Sequence, residues 1–391
     1  METSQSKTSL ALMAIFFVIP GALIVNPAIQ LLAEAYPEIP YTMILMVSTL
    51  PLLIVVPLTL ISGAIAGNKV QYRHLLLVAM VLSIVGGVLP FVFRDFYAVL
   101  VARAIYGIGI GIMTPLANGI ILQLYEGQQR ANMTGMGSMV INIGSTIFML
   151  LSGLISAIDL NLMWLIHLIG IVPLLMVMLY LTEPDSVTEK HQQAKAKMPV
   201  SIYFIAGATI FIYMNLNTLL LNMSTIITTE NIGNAATAGT ILALYTVGGI
   251  LGGSIFGKYF TFFGKMTHPS ALMLMGTGLG IVYFVNTVPL MVVGSIVAGI
   301  GFFILFPAIL MDAGHRVPVA ASTMVTAIVF SSINFGGFLS SLYIGILSQL
   351  FSNPSPRLPT LVSMVVMFTV AIIWGMIITF GHSYSNFEIE S

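Results

Sequence analysis

One arginine inside an apolar run is the first residue whose type and spacing could do chemistry. Residues 100–115 read Leu-Val-Ala-Arg103-Ala-Ile-Tyr-Gly107-Ile-Gly109-Ile-Gly111-Ile-Met-Thr-Pro115. A guanidinium at membrane depth costs at least a few kcal/mol unless it faces protein or a wet cavity. Arg103 is therefore expected to bind an anionic group, to modulate a nearby proton site, or to bond backbone carbonyls of the first apolar run near Pro20 and Pro27. Gly107 and Gly111 follow it at helical spacing, where small residues let another backbone come close.

Candidates for carrying a proton are few. No Asp or Glu falls in the middle of an apolar run, so the carriers reduce to His167, Glu34 and Asp312, with Arg103 beside them. His167 has a suitable intrinsic pKa, although a lone intramembrane histidine is more often a packing residue. Asn26 stands in the first run where an embedded carboxylate would be useful, and it cannot titrate. Uncharged polar residues outline a sparsely polar substrate cavity: Asn26, Asn118 and Asn142 early in the chain, then Asn215, Asn222, Tyr245 and Asn334. Asn215 and Asn222 are seven apart and share one helix face. For any one asparagine the plainer role is an interhelical hydrogen bond, worth roughly 0.6 kcal/mol. The 25 methionines and 23 phenylalanines suit a pocket for varied apolar ligands, and equally suit lipid-facing and packing positions.

The elements that must position these residues are set by composition. Of 391 residues, 58% are hydrophobic and 7% charged, against roughly a quarter charged in soluble domains. Charges cluster between apolar runs of about 20 residues, the length that crosses the hydrocarbon core as a helix. The expectation is an all-α membrane protein with twelve transmembrane helices, near 9–32, 41–66, 74–93, 97–123, 132–156, 162–181, 200–224, 237–260, 269–286, 290–311, 320–347 and 359–380. The first run is too long for a signal-peptide core and is kept as a span. With the N-terminus in the cytoplasm, ten Lys and Arg fall inside (Lys7, Lys69, Arg73 and Arg130 among them) and only Arg94 and Arg357 outside. The positive-inside rule then places both termini in the cytoplasm of a cell-membrane protein.

Other function classes find little support. Net charge is zero, which gives no reason to expect nucleic acid. The six histidines are scattered, there is no cysteine, and no H-E-x-x-H or phosphate-cradling loop occurs. An enzyme, a resident metal or a cofactor is therefore not expected, and neither is a sensor with a soluble domain.

An internal repeat organises the spans. At an offset of 192 residues, Gly107-Ile-Gly109 falls on Gly299-Ile-Gly301 and Pro115 on Pro307. Ile141-Asn142 falls on Ile333-Asn334, Gly144 on Gly336 and Gly153 on Gly345. The most polar segment, 182–198, divides the repeats. The expected domains are a six-helix half over 1–181, a cytoplasmic linker over 182–198 and a second six-helix half over 199–391, related by pseudo-symmetry.

On these residues the chain resembles the major facilitator superfamily over its whole length. Leu100–Gly111 is similar to that superfamily's fourth-helix arginine and glycine motif. Asn68-Lys69-Val70-Gln71-Tyr72-Arg73 resembles its loop after the second helix in degraded form, with a looser copy ending at Gly264-Lys265. Tyr125–Ala131 resembles the fourth-to-fifth loop of bacterial drug:proton antiporter-like members. Those members usually carry G-P-x-x-G-G late in the fifth helix, where this chain reads Phe148-Met149-Leu-Leu-Ser152-Gly153. The resemblance implies a monomeric secondary transporter working by alternating access on a small molecule. Asn68, Lys69, Arg73 and Lys265 would form its cytoplasmic gate. The leading expectation is proton-linked export of amphipathic organic compounds or drugs. The alternative is uptake or exchange of an organic anion, a carboxylate, bound by Arg103.

Overall fold

The computed structural model describes residues 2–66, 70–181, 183, 198–318, 321–351 and 355–387. The gate candidates Asn68 and Lys69 and nearly all of the 182–198 linker lie outside them. The described chain is all-α. Its helices are α1 (Glu2–Val18), α2 (Ile29–Ala35), α3 (Tyr41–Ile65), α4 (Tyr72–Val92), α5 (Phe96–Leu124) and α6 (Gly127–Ser156), then α7 (Ile171–Tyr180) and α8 (Val200–Thr229). They continue with α9 (Ala235–Phe263), α10 (Thr267–Phe284), α11 (Val288–His315), α12 (Ser322–Leu350) and α13 (Leu358–Phe387). Among the described residues, eleven helical stretches are long and apolar enough to cross a membrane. One of these, Ala235–Phe284, has 50 residues, enough for two crossings. It is broken at Gly264, whose φ of 50° only glycine adopts readily.

Two stretches wind more tightly. Ile19–Ala28 links α1 to α2 as a 3-10 helix, and Leu160–Gly170 leads into α7 in the same way. Pro20 and Pro27 account for the first, because each removes a backbone N–H and clashes with the preceding turn. Long 3-10 runs are uncommon and mark strain or a hinge.

Packing follows the glycines. Gly107 on α5 lies where an added methyl would meet Pro51 Cα of α3 at 2.8 Å, while Gly299 on α11 abuts the Tyr245 carbonyl of α9. Gly109 faces Ala79 of α4, and Gly301 faces Ala271 of α10. Gly144 of α6 abuts Phe17, and Gly336 of α12 abuts Ile210 of α8. Gly153 of α6 meets Gly239 of α9, and Gly345 of α12 meets Thr42 of α3. Each glycine of a repeat pair thus touches the helix that corresponds to its twin's partner.

Three buried apolar clusters result. One is built on α8 to α13, around Leu216, Met223, Leu242, Met275 and Ile304. A second is built on α1 and α3 to α7, around Leu12, Phe16, Met80, Tyr106 and Ile120. The third lies at the end of the bundle that carries α2. It joins Ile24, Leu45, Phe148 and Trp164 to Leu221 of α8 and Ile344 of α12.

Candidate functional site

Arg103 is fully buried. Its Nε donates to the Val47 carbonyl at 2.8 Å and its Nη2 to the Ala22 carbonyl at 3.1 Å. Both acceptors have a backbone reason to be open. In an α-helix the Val47 carbonyl would accept from the N–H of residue 51, and residue 51 is proline. Ala22 sits in the 3-10 segment between Pro20 and Pro27. The guanidinium lies over the Tyr106 ring at 4.6 Å and the Trp164 ring at 5.9 Å, so aromatic faces replace part of its lost hydration. Nη1 has no hydrogen-bond partner. Arg103 thus takes the bracing position expected near Pro20 and Pro27, and in this conformation it is sealed within protein.

His167 adjoins it, edge-on to Tyr106 at 4.9 Å between ring centroids. Its Nδ1 lies 3.1 Å from the Trp164 carbonyl. A carbonyl only accepts, so Nδ1 carries the proton, and Nε2 is buried without a partner. A cavity of about 20 Å³ lies here, lined by Gly21, Ser83, Tyr106 and His167 among others. The remaining proton-coupling candidates are at the rim. Glu34 accepts from Gln30 Nε2 at 3.0 Å, and Asp312 pairs with Arg316 at 3.1 Å, one helical turn away.

The asparagines separate into two groups. Asn26 accepts from Ser48 at 2.5 Å. Asn215 accepts from Tyr343 at 3.0 Å and donates to the Phe211 carbonyl. Asn222 accepts from Tyr41 at 3.2 Å and donates to the Pro356 carbonyl at 3.2 Å. All three are buried, with their polar atoms engaged inside helix contacts. Tyr245 is buried against α11. Asn118, by contrast, is exposed, and Asn142 and Asn334 are half-buried.

Hydrogen bonds between residues 1–181 and 198–387 explain that difference. Among the described residues, all of them lie toward the α2 end. Tyr41 bonds Asn222 and Thr225, and Thr49 bonds Ser341 at 3.1 Å. Thr146 bonds Thr246 at 2.6 Å, and Ser224 donates to the Pro27 carbonyl at 2.7 Å. The α2 end is therefore held shut by these bonds. The opposite end, where residues 181 and 198 lie, is the linker end. Asn142 lies one helical turn below Thr146 on the same face of α6. Asn334 lies two turns below Ser341 on the same face of α12, so the Asn142 face is the one turned to α9 and the Asn334 face the one turned to α3.

Of the gate candidates that are described, Arg73 donates from its guanidinium to the Met178 carbonyl. The backbone N–H groups of Tyr72 and Arg73 are capped by the Glu183 carboxylate at 2.7 and 2.9 Å. Lys265 lies in the 3-10 turn between α9 and α10. Two features went unseen in the sequence. Arg357 pairs with Glu230 at 2.7 Å and donates to the carbonyls of Val282, Tyr283 and Val285, closing the end of α10. A run of aromatic rings, Tyr213, Phe302, Phe306 and Phe330, links α8, α11 and α12 at centroid distances of 5.2–6.1 Å. The four-residue spacing of Phe302 and Phe306, just beyond Gly299, was the available signal for the second.

Solved structures of other proteins share this fold. The fold is similar to a bacterial homologue of the human lysosomal transporter Spinster, in an inward-facing and unoccupied conformation. The TM-score is 0.79 at 15% identity over 96% of both chains. It is also similar to the human organic anion transporter MFSD10 (TETRAN), with a TM-score of 0.66 at 14% identity over 94% of this chain and 99% of that one. A D-xylose–proton symporter gives 0.70 at 15% identity over 94% and 96%. At these identities the likeness shows the fold alone. No curated relative matches the sequence. Residues 11–205, which include Arg103, its glycines and His167, match the Major Facilitator Superfamily sequence model, and the chain belongs to the major facilitator superfamily.

Proposed function

We propose that this secondary transporter moves amphipathic organic compounds by alternating access between two six-helix halves, twelve spans in all, as a proton-linked exporter. The carrying observation is the set of side-chain hydrogen bonds that join residues 1–181 to 198–387 at the α2 end, which supports a state shut at that end and open at the linker end. The matched glycine contacts support the two-half arrangement. Ala235–Phe284 supplies two of the twelve spans if its break at Gly264 is a turn between them. Lysine and arginine placement puts the linker end in the cytoplasm.

The proton link is assigned to His167. It lies between Tyr106 and the Gly21 region with Nε2 open, whereas Glu34 and Asp312 are held at the rim by Gln30 and Arg316. Anion transport on Arg103 would require the guanidinium to leave Val47 and Ala22, uncovering two buried carbonyls, and is the weaker reading. Flux of an amphipathic dye in proteoliposomes, with and without an imposed pH gradient, tests the proposal. Gradient-driven efflux is expected, with a pH profile that changes in His167→Gln. Gradient-independent flux with counterflow of a carboxylate would overturn it. An unchanged pH profile in His167→Gln would remove that residue from the coupling.

A further inference from the structure

We propose that the cavity beside Arg103 is a site for one water molecule, which accepts from Tyr106 Oη and donates to His167 Nε2 and Ser83 Oγ. The site lies wholly within residues 1–181. It stands on geometry of its own, and only the use made of it rests on the assignment of proton coupling to His167 above.

The His167 ring is seated so that one nitrogen is used and the other is left over. Gly87 of α4 makes room for it, since a methyl there would collide with Cγ and Cδ2 of the ring. Nδ1 gives its proton to the Trp164 carbonyl. Nε2 is therefore an acceptor, and it is buried without a partner. A methyl on Gly21 would lie 2.7 Å from Tyr106 Oη and 3.8 Å from His167 Cδ2, the atom bonded to Nε2. With no side chain at Gly21, the space beside both groups stays open.

The cavity they line measures about 20 Å³. One water needs about 10–15 Å³ on that measure and two to four polar partners. Of the twelve lining residues, three carry polar side chains: Ser83, Tyr106 and His167. Ser83 gives its proton to the Ala79 carbonyl at 2.9 Å, so toward the cavity its oxygen is an acceptor. Tyr106 has an O–H to give. One donor and two acceptors are the complement of a water molecule, which has two protons to give and lone pairs to receive. An apolar guest would satisfy none of the three.

Such a water lets His167 change charge without orphaning a group. A proton that arrives on the water passes to Nε2, and the molecule stays behind as water, accepting from the new N–H. Tyr106, and Arg103 stacked on it, are the titratable groups beside the ring. The 3-10 segment Ile19–Ala28, α4 and α6 bring only glycine, serine and apolar side chains to the cavity.

The test is solid-state NMR of the full chain in lipid nanodiscs, with isotope-labelled histidine. The His167 signals are those lost in His167→Gln. A cross-peak between Nε2 and water protons is expected, with the ring proton on Nδ1. Tyr106→Phe combined with Ser83→Ala removes the other two partners, and the cross-peak should disappear. An unchanged Nδ1 signal in that variant shows the ring still seated on Trp164. Tyr106→Phe alone keeps an aromatic ring under Arg103 and should weaken the cross-peak, which serves if the double variant fails to fold. No cross-peak in the wild-type protein, or one that survives in the double variant, overturns the water site and leaves the coupling role of His167 standing. A flux pH profile unchanged in His167→Gln, beside a wild-type cross-peak, removes the coupling role and upholds the water site.

Discussion

At the scale of single residues, Arg103 answers a defect in a neighbouring helix. Pro51 deprives the Val47 carbonyl of its helical donor, and the guanidinium of another helix supplies one. Arg103→Ala should leave buried carbonyls unpaired at about 1–3 kcal/mol each, lowering the melting temperature and abolishing flux. Pro51→Ala restores an N–H four residues beyond Val47. Thermal melts of Arg103→Ala, Pro51→Ala and the double variant form a cycle. The arginine substitution is expected to cost less in the Pro51→Ala background, and strict additivity would refute the pairing. The arginine and the prolines are plain in the sequence. Their partnership is not, because 56 residues separate the two atoms that meet.

At the scale of elements, helix ends carry the charges that sequence reading places in loops. Glu183 caps α4 by accepting from the N–H groups of Tyr72 and Arg73, where a carboxylate is also favoured by the helix dipole. Glu183→Ala should speed amide exchange over residues 72–76 while leaving exchange in the middle of α4 unchanged, as read by hydrogen-exchange mass spectrometry. Equal rates in both proteins would deny the cap a role. At the other end of the bundle Arg357 closes α10 and α8 through Glu230. The helices themselves were legible from hydropathy, since twenty apolar residues in a row leave the backbone no other way to satisfy itself in lipid. The 3-10 character of Leu160–Gly170 was not legible, because that segment contains no proline.

At the scale of the whole molecule, the closure at the α2 end consists of a few hydroxyl and amide bonds between surfaces brought together by small residues. Each is worth about 0.5–1.5 kcal/mol, so removing two should shift the balance between open states. The chain has no cysteine, and Asn334→Cys therefore gives one label site at a half-buried position of α12. A membrane-impermeant maleimide should modify it from the linker side. Adding Tyr41→Phe and Thr146→Val should slow that reaction several-fold as the opposite opening gains population. Unchanged labelling would mean that these bonds do not hold the α2 end shut.

What the sequence determined by itself was class and repetition. Hydropathy dictates helices long enough for the bilayer, and glycines recurring at one offset mark where helices must approach closely, because both constraints are written in residue types along the chain. Which polar groups find partners on other helices was decided only by the tertiary structure. Asn142 and Asn215 are alike as sequence, each bonding the carbonyl four residues back. Only the packing of α8 against α12 gives Asn215 a tyrosine donor, while Asn142 meets no donor among the described residues. A side chain's chemistry is local, but its satisfaction depends on what the fold brings opposite it.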